Sequence, residues 1–264
     1  MPHPQDQTAL FIGGHDPSGG AGLTADIQTA STLGIHPLTL VTALTVQDTG
    51  NVERVEPLDP DWFEASFRKV ISDMRPAAIK VGLLGSPELG ERLATLLENT
   101  HPIPVVLDPV WKASGGFLLA RDGWAEILRD RLVPTTTLLT PNTTELRTLV
   151  PSTPSTDEAA GILLSLGAGA ILVTGGDQDL EQPYVTSILY TADGETERWN
   201  DVRLPGAFHG SGCTLAAACT CYLARGDPLK IAVRQALRWT HQTLVKALAI
   251  GRGGRIPLRV GRRS

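Results

Sequence analysis

Short apolar runs alternate along most of the chain with longer stretches in which apolar residues recur at helical spacing. The apolar runs predict strands at residues 9–13, 38–43, 78–81, 105–107, 137–139, 170–173 and 187–190, with a weaker one at 196–199. The amphipathic stretches predict helices at residues 21–33, 60–73, 87–98, 123–131, 143–149, 156–166, 211–225 and 228–250. Because near-continuous apolar strands alternate with helices, we expect an α/β layer sandwich whose mostly parallel sheet is covered on both faces.

Length and composition predict one globular domain. The chain has 264 residues, enough to bury a large core, and it contains no linker rich in glycine, proline or serine. We therefore expect a single domain over residues 1–264, with a short disordered N-terminus and a basic C-terminal tail whose side chains are solvated. Residues 226–264 carry no site motif. The basic side chains of the tail are Arg252, Arg255, Arg259, Arg262 and Arg263.

Charge and cysteine content narrow the partners and the compartment. The formal net charge of −5 argues against a nucleic-acid partner. No apolar run approaches the ~18 residues of a membrane span, and the first residues lack the features of a signal peptide. Cys213, Cys219 and Cys221 share one predicted helix in positions that fit neither a disulfide framework nor a zinc site. These observations predict a cytoplasmic protein without nucleic-acid or membrane partners.

The segment at residues 209–218, HGSGCTLAAA, is the most informative stretch of the chain. Gly210 and Gly212 free the backbone for close approach to a ligand, and a helix begins at Ser211. A glycine turn that leads into a helix offers unpaired N–H groups and the positive end of the helix dipole, which together favour a bound phosphate. Cys213 lies in that first turn, where the pKa of a thiol tends to fall. The same pattern is also typical of a loop that caps a core helix.

Polar or glycine-rich segments follow several predicted strands. They lie at residues 13–22, 108–110, 140–145 and 174–177. Since ligands bind beyond the carboxyl ends of parallel strands, we expect these segments and the glycine turn to surround one polar ligand. Each acidic residue also has a structural interpretation, because Asp16 precedes a proline as in a turn, Asp26 solubilises a helix, and Asp177 follows two glycines as a turn residue.

Asn142 and Glu145 allow two interpretations that are compatible with each other. Their spacing of three at a predicted helix start indicates a capping box, in which each side chain bonds the backbone of the other residue. In the functional interpretation, Glu145 and nearby Asp108 hold a hydrated Mg²⁺, which in proteins binds one or two carboxylates together with phosphates.

The sequence matches none of three other functional motifs fully. The chain has no GxxxxGK[ST] sequence, so a P-loop is excluded. The sequence GAGLTA at residues 20–25 matches a dinucleotide fingerprint, but it begins well after the predicted strand end, and Asp48 is the only plausible ribose-binding acid. His209 and Cys213 suggest a Cys–His hydrolase, yet no third group that would orient the histidine is evident.

Six motifs occur along the chain: GHDPSGGAGLTAD at 14–26, TALTVQ at 42–47, KVGLL at 80–84, LDPV at 107–110, TPNTTE at 140–145 and GSGCT at 210–214. In content and order they resemble the signature of the hydroxymethylpyrimidine/phosphomethylpyrimidine kinases of thiamine synthesis. The resemblance runs from about residue 9 to about residue 225. The DPSGGAG run is specific to this family, whereas the NxxE and GxGC patterns are shared more widely among ribokinase-like kinases.

The resemblance implies a ribokinase-like three-layer α/β/α sandwich with a mostly parallel central sheet, and a homodimer. It also implies that ATP and Mg²⁺ phosphorylate the hydroxymethyl group of 4-amino-5-hydroxymethyl-2-methylpyrimidine, and then the resulting monophosphate. The pyrimidine would contact Gly14, Asp26, Gln47, Leu83 and Val110.

On the phosphate side, the resemblance implies that Asp108 and Glu145 hold Mg²⁺. The residues near ATP would be Asn142, Thr174 and Gly176. The glycine turn of Gly210, Ser211 and Gly212 would form an anion hole, and Cys213 would stand in the position of the catalytic base, where most ribokinase-like enzymes carry aspartate. Phosphoryl transfer depends on positioning, metal and donors aimed at the developing charge, so this assignment agrees with the chemistry of the glycine turn.

The chain departs from the family pattern at a few positions. Leu83 replaces a frequent methionine, which conserves volume. After LDPV the chain reads WKASG, with one residue fewer than the family, so Lys112 is given no role, and Phe208 replaces a common threonine. Two alternative functions are a pyridoxal kinase, whose substrate also carries a hydroxymethyl group, and a non-catalytic pyrimidine-binding regulator. The intact Asp108, Glu145 and Cys213 argue against the regulator.

Overall fold

The computed structural model describes residues 7–100, 102–111, 123–153, 155–178 and 181–261. The strands are β1 (Thr8–His15), β2 (His36–Gln47), β3 (Val52–Pro57), β4 (Ala78–Val81), β5 (Val105–Leu107), β6 (Leu138–Leu139), β7 (Ala170–Thr174), β8 (Tyr184–Thr191) and β9 (Thr196–Val202). The helices are α1 (Gly22–Thr32), α2 (Pro60–Asp73), α3 (Pro87–Glu98), α4 (Trp124–Ile127), α5 (Thr143–Leu149), α6 (Thr156–Ser165), α7 (Ser211–Ala224) and α8 (Leu229–Val245).

The described strands form one sheet in the order β3-β2-β1-β4-β5-β6-β7-β8-β9. Strands β2, β1, β4, β5, β6 and β7 run parallel to their neighbours in this series. The outer strands β3, β8 and β9 are antiparallel. The carboxyl ends of the parallel strands therefore meet at one edge of the sheet, where the sequence predicts the ligand.

Successive side chains of a strand point to opposite faces of the sheet, and they pack into two separate hydrophobic cores, one on each face. Leu10 and Ile12 of β1 pack on one face with the apolar sides of α2, α3, α5 and α6. Ala9 and Phe11 pack on the other face against α1, α7 and α8. All four of these β1 side chains are fully buried, which explains why the strand is apolar at every position. The predicted layer sandwich is confirmed.

Most predicted elements are confirmed, and five have the predicted bounds: β4, β5, α2, α3 and α5. The sequence missed β3, because this edge strand exposes most of its polar residues and buries only Val52. The predicted helix 123–131 is α4 followed by the π-helical turn Leu128–Leu132 and the 3₁₀ turn Val133–Thr135. Pro134, which has no N–H to donate, lies in that last turn.

The prediction was also wrong about the end of the chain. Helix α8 ends at Val245 rather than at residue 250, because Leu248 exchanges backbone hydrogen bonds with Ile256. The tail is not solvated throughout, since Arg259 is only 2% exposed. The predicted N-terminal disorder, Lys112, Arg262 and Arg263 lie outside the described residues. Within the described part of the chain, no helix has the length and apolarity needed to cross a bilayer.

Candidate active site

A cavity of about 360 Å³ opens at the carboxyl edge of the parallel strands. It is in the size range of small-molecule sites. Most of the predicted site residues line it: Gly14, Gln47, Leu83, Asp108, Val110, Asn142, Glu145, Gly210, Ser211, Gly212 and Cys213. Asp26, Thr174 and Gly176 are not among the lining residues. Segments distant in sequence thus converge on one site, as the topology predicts.

The glycine turn ahead of α7 leaves the start of that helix open. Gly210 is the N-cap residue at φ +83°, and it provides no side-chain hydrogen bond to the first turn. A Cβ on Gly210 would lie 2.0 Å from the carbonyl oxygen of Gly20, so only glycine fits where these two loops touch. The backbone N–H groups of residues 211–213, which have no intrahelical acceptors, border the cavity and can receive an anion.

The thiol of Cys213 does not have the lowered pKa that its place in a helical first turn predicts. Burial raises the pKa of Cys213 to about 12, and the charges of Asp108 and Asp26 add to this effect. The positive charge of Lys80 acts in the opposite direction. Desolvation of the thiolate therefore outweighs the helix dipole, and Cys213 is a neutral thiol at pH 7 in the structure.

A buried ion pair joins α1 to β4 behind the cavity wall. The Nζ atom of Lys80 lies 3.1 Å from each carboxylate oxygen of Asp26, and both side chains are essentially inaccessible to solvent. Burial raises the pKa of Asp26 to about 6 although Lys80 opposes the shift. Burial alone would lower the pKa of Lys80, but the negative charges of Asp26 and Asp108 raise it. No role was predicted for Lys80, yet this residue is among those that line the cavity.

Asp108 and Glu145 line the cavity as an acidic pair, and their negative charges repel each other. Burial raises the pKa of Asp108, and its Oδ2 atom is buried without a hydrogen-bond partner. Burial also raises the pKa of Glu145 to about 8, and the charge of Asp108 contributes to the shift. A divalent cation would relieve both the repulsion and the unpaired oxygen, so these residues fit Mg²⁺.

The donor set is suited to a cation shared with phosphates rather than to a cage made by the protein alone. In the ranges that the structure describes, no group of three or more histidine, cysteine, aspartate or glutamate side chains is arranged to hold a metal ion. Magnesium typically keeps several waters and binds one or two carboxylates plus substrate phosphates. Two carboxylates beside an open helix start meet that requirement.

Helix α5 begins with the capping box that the sequence predicts. The Oδ1 atom of Asn142 accepts the N–H of Glu145 at 2.8 Å, and the N–H of Asn142 is bonded to Oε2 of Glu145 at 2.8 Å. Because Oδ1 faces the helix, the amide nitrogen of Asn142 is available to donate toward the cavity. The structural and functional interpretations of this motif are therefore compatible in the structure.

Asp177 is more than the turn residue that the sequence indicates. Its carboxylate accepts the N–H of Thr143 at 3.2 Å, and the N–H and hydroxyl of Thr144 at 2.7 and 2.6 Å. It thus occupies the remaining donors at the start of α5. Thr174 supports the same loop, since its N–H donates to the carbonyl of Pro141, whereas Gly176 is exposed and its carbonyl accepts a bond from Arg203.

His209 and Asp16 join two loops at the cavity. The Nε2 atom of His209 lies 2.8 Å from Oδ2 of Asp16, which also accepts the N–H of Ala21. Asp16 therefore holds one ring nitrogen of His209, but the other, Nδ1, is buried without a hydrogen-bond partner among the described residues, so His209 does not form the dyad with Cys213 that a Cys–His hydrolase would need. Bonding to His209 lowers the pKa of Asp16 although burial opposes the shift.

The dinucleotide fingerprint at residues 20–25 has a packing explanation. A Cβ on Gly20 would lie 2.1 Å from the ring of His209, and one on Gly22 would lie 2.3 Å from the carbonyl oxygen of Gly14. These glycines are needed where loops touch each other. Asp48 accepts the N–H groups of Gly50 and Asn51 in the tight turn between β2 and β3. The dehydrogenase interpretation therefore has no support.

The sheet order and the glycine turn facing two carboxylates define an α/β phosphotransferase of the ribokinase-like class, and comparison with known proteins supports this. The phosphomethylpyrimidine kinase family model matches residues 16–258. The chain therefore belongs to the phosphomethylpyrimidine kinase family.

Individual relatives agree with the family match. The hydroxymethylpyrimidine/phosphomethylpyrimidine kinase of Escherichia coli K12 is 36% identical over 253 residues, which cover 93% of this chain and 94% of that protein. The protein of the same name from Bacillus subtilis is 33% identical over 249 residues, covering 93% and 92%.

Two solved structures share the fold. The phosphomethylpyrimidine kinase from Clostridium difficile superposes with a TM-score of 0.78 at 29% identity, covering 90% of this chain and 100% of that chain. The pyridoxal kinase from Staphylococcus aureus in complex with pyridoxal superposes with a TM-score of 0.85 at 28% identity, covering 96% and 93%. The ribokinase-like fold predicted from the motifs is confirmed.

Proposed function

We propose that this chain phosphorylates 4-amino-5-hydroxymethyl-2-methylpyrimidine, and then its monophosphate, with ATP and Mg²⁺ in thiamine biosynthesis. The observation that carries the proposal is the open start of α7 facing the acidic pair. A Cβ on Gly212 would lie 3.9 Å from Oδ1 of Asp108, so the predicted anion hole and the predicted metal ligand border the same space. Such a site matches the charge distribution of a transferred phosphoryl group.

In this proposal the glycine turn stabilises the transferred phosphoryl group. The N–H groups of Ser211, Gly212 and Cys213 donate to its oxygens as charge develops. Asp108 and Glu145 would hold Mg²⁺, which would supply neutralisation of the charge on the ATP phosphates. The free amide nitrogen of Asn142 and the loop that contains Thr174 and Gly176 lie on the ATP side.

Cys213 takes the proton of the hydroxymethyl group in the first reaction. The hydroxymethyl oxygen forms the new bond to phosphorus, the bond from phosphorus to the ADP oxygen breaks, and the proton moves to the sulfur. This step requires the thiolate, whose formation burial opposes and the Lys80 charge and the helix N-terminus favour. A rate that increases with pH above neutrality would accordingly reflect ionisation of Cys213.

The second reaction does not need this base. The acceptor is then a phosphate monoester, whose second pKa is about 6, so its oxygen is already ionised at neutral pH. Positioning and charge stabilisation remain necessary. The two reactions of one cavity should therefore differ in their dependence on Cys213, while they share the glycine turn and the acidic pair.

Gln47 selects the ring. It ends β2 at the cavity, half-buried, and its amide can pair with the adjacent amino group and ring nitrogen of the pyrimidine. Leu83 and Val110 supply the apolar side of the site, and a Cβ on Gly14 would lie 3.0 Å from a methyl carbon of Leu83. Asp26 does not line the cavity, so the direct contact with the pyrimidine expected for it is replaced in this proposal by an indirect role, in which Asp26 holds Lys80 at the cavity wall.

Pyridoxal is the second candidate substrate, because a pyridoxal kinase is among the structures that share this fold. The deciding experiment incubates the purified protein with ATP, Mg²⁺ and either alcohol, and follows ADP and phosphorylated product. We expect both monophosphate and diphosphate from the pyrimidine. Absence of product from the pyrimidine contradicts the proposal, faster turnover of pyridoxal supports the second candidate, and binding without turnover supports the regulator.

We also propose that the whole chain acts as one catalytic domain, as a cytoplasmic homodimer. Leu44 and Val46 of β2 are 53% and 45% exposed, as expected of side chains that a second copy covers. The free cysteines Cys213, Cys219 and Cys221 suit a reducing compartment. Light scattering of the purified protein tests the dimer, and a Leu44→Arg variant that becomes monomeric would locate its interface. Fractionation of the native host tests the location.

A further inference from the structure

Arg259, which the sequence places in a basic tail without a site motif, is buried beneath the glycine turn. Its side chain is 2% exposed. The residue before it is fixed to α8, because the N–H of Leu258 donates to the carbonyl of Thr243 at 3.0 Å. Burial lowers the pKa of Arg259 to about 10, so the guanidinium remains charged at neutral pH. A buried charge is costly unless it has hydrogen-bond partners, so the partners of Arg259 indicate what it stabilises.

The partners of Arg259 belong to the two loops that meet at the cavity. Its Nη2 atom donates to the carbonyl oxygen of Gly20 at 2.5 Å and, more weakly, to that of Gly210 at 3.4 Å. Its Nε atom donates to the hydroxyl of Thr214 at 2.8 Å, and that hydroxyl in turn donates to the carbonyl of Gly210 at 2.7 Å. Nη1 reaches Oε1 of Gln28 in α1 at 3.2 Å.

The contact between the two loops has an electrostatic cost that Arg259 offsets. Gly20 and Gly210 approach each other so closely that their carbonyl oxygens converge on one Nη2 atom. Two buried carbonyl oxygens repel each other, and a guanidinium between them satisfies both with charge-assisted hydrogen bonds. The planar fork of arginine can reach several acceptors at once, which the point charge of lysine cannot do.

Fixing the Gly210 carbonyl also fixes the donor on the other side of the same peptide. In a planar trans peptide the C=O of Gly210 and the N–H of Ser211 point in opposite directions. Because the carbonyl is held toward Thr214 and Arg259, away from the cavity, the N–H of Ser211 is directed toward the side that the proposed phosphoryl group occupies. The Gly210 carbonyl also accepts the N–H of Thr214 at 3.0 Å, so Arg259 acts together with Thr214 to orient a donor that Arg259 does not touch.

We propose that Arg259 is a positioning residue for phosphoryl transfer, which locks the Gly20 and Gly210 backbones so that the N–H groups of the glycine turn face the cavity. The inference rests on the proposed role of that turn as the anion hole. It assigns to the end of the chain a function in both phosphorylation reactions. Since preorganised donors act mainly on the transition state, the loss of Arg259 lowers kcat much more than it raises the KM for the pyrimidine.

The test compares Arg259→Ala and Arg259→Lys with Arg255→Ala, which removes an exposed arginine from the same segment. Turnover is measured below the unfolding temperature of each variant, with circular dichroism reporting the folded fraction. We expect Arg259→Ala to lower kcat by about 10²-fold, the size of effect that a small misplacement causes. Arg259→Lys recovers only part of the loss, and Arg255→Ala retains the wild-type kcat.

Guanidinium ions at low concentration provide a readout that a purely structural role would not move. They should restore much of the kcat of Arg259→Ala, and leave the wild type and Arg255→Ala unchanged. A wild-type kcat in folded Arg259→Ala, or a loss that only follows the unfolded fraction, overturns the proposal. If Arg259→Ala does not fold, Arg259→Lys decides, and a wild-type kcat there also overturns it.

The outcomes keep this proposal separate from the proposed function. If the wild-type protein produces no phosphorylated pyrimidine, the proposed substrate is wrong, and the variants are compared with the alcohol that is turned over. If the wild type is active and Arg259→Ala retains its kcat, the role of Arg259 alone is wrong.

Discussion

Two helices begin at the same cavity, and they begin in opposite ways. Helix α5 starts with a capping box between Asn142 and Glu145, and the carboxylate of Asp177 accepts two further backbone N–H groups. Helix α7 starts at Gly210, which has no side chain and leaves the first turn uncapped. Both helix ends carry the same partial positive charge, so the difference lies in whether their donors are already occupied.

This difference shows why one helix start can receive phosphate through its backbone and the other cannot. At α5 the protein's own carboxylates occupy the place of an anion, and the helix contributes side chains to the cavity instead. At α7 the backbone N–H donors remain free. The buried Arg259 holds the glycine turn by hydrogen bonds to the carbonyl oxygens of Gly20 and Gly210. A cap that stabilises a helix thus competes with a ligand for the same N–H groups.

The largest expected effect on kcat comes from replacing Cys213, whose side chain lies in the first turn of α7. We expect Cys213→Ala to lower kcat for the hydroxymethyl substrate by about 10²–10⁴-fold, because it removes the base. The second reaction should retain most of its rate, since a phosphate monoester needs no base. Product analysis with each substrate, repeated from pH 6 to 9, measures both effects.

Cys219→Ala is the matched control, because Cys219 is fully buried further along the same helix. It should cost stability and leave both reactions unchanged. Equal losses in the two reactions of Cys213→Ala would assign the thiol to packing or positioning, and a wild-type rate in the first reaction would remove it from the mechanism.

A methyl group in the open turn tests the turn itself. Gly210→Ala places a Cβ 2.0 Å from the Gly20 carbonyl oxygen, so the turn must move. We expect kcat to fall by about 10²–10³-fold in both reactions, as when an oxyanion donor is lost. Gly226→Ala, at φ +85° just beyond the other end of α7, has nothing within 4 Å of the new Cβ and controls for backbone strain. Equal activity of the two variants would contradict the proposed role of the turn.

A substitution away from both helix starts separates ring selection from phosphate binding. Gln47→Leu leaves the pyrimidine edge unpaired, which costs about 1–3 kcal/mol if that edge is buried. We expect a higher KM for the pyrimidine with the KM for ATP almost unchanged, measured by initial rates in both substrates. Wild-type values for both constants would show that Gln47 is only a solvated residue at the end of β2.

The smallest effect is expected at the closed helix. Asp177→Ala removes two backbone caps from α5, and the free energy of unfolding should fall by about 0.5–2 kcal/mol in denaturant titrations. Turnover should persist, because α5 does not hold the transferred group with its backbone. Thr144→Val is the companion variant, since it removes only the hydroxyl bond to Asp177. A loss of kcat in Asp177→Ala as large as that in Gly210→Ala would abolish the distinction between the two helices.

Much of the fold could be predicted because burial imposes its periodicity on the sequence. Strand β4 and helix α2 appear with the predicted bounds, since every residue of β4 is buried and α2 begins after a capping Asp59 with proline at its first position. Strand β3 has no such signal, because its position depends on pairing with β2 rather than on an apolar face. Pairing partners distant in sequence are not visible in local periodicity.

Several predicted site residues, such as Asp108, Asn142 and Gly210, share a local signal, which is a glycine or polar residue directly after a strand or before a helix. Others, such as Asp26, Leu83 and Val110, lack this signal and are predicted only through the family resemblance. The residues that the sequence missed also lack it. Lys80 lies inside a buried strand, and its partner Asp26 is on a helix 54 positions earlier. Arg259 reaches Gly20 across 239 positions. A buried charge opposite a distant partner leaves no local pattern, although a lysine in an otherwise apolar strand could have drawn attention to β4.

A crystal structure with Mg²⁺ and a non-hydrolysable ATP analogue tests the central claim most directly. We expect oxygens of the terminal phosphate at hydrogen-bond distance, about 2.7–3.2 Å, from the backbone nitrogens of Ser211, Gly212 and Cys213. The N–H groups of Thr143 and Thr144 should remain bonded to Asp177. A terminal phosphate that displaces Asp177 from the start of α5, with the α7 donors left free, would contradict the account.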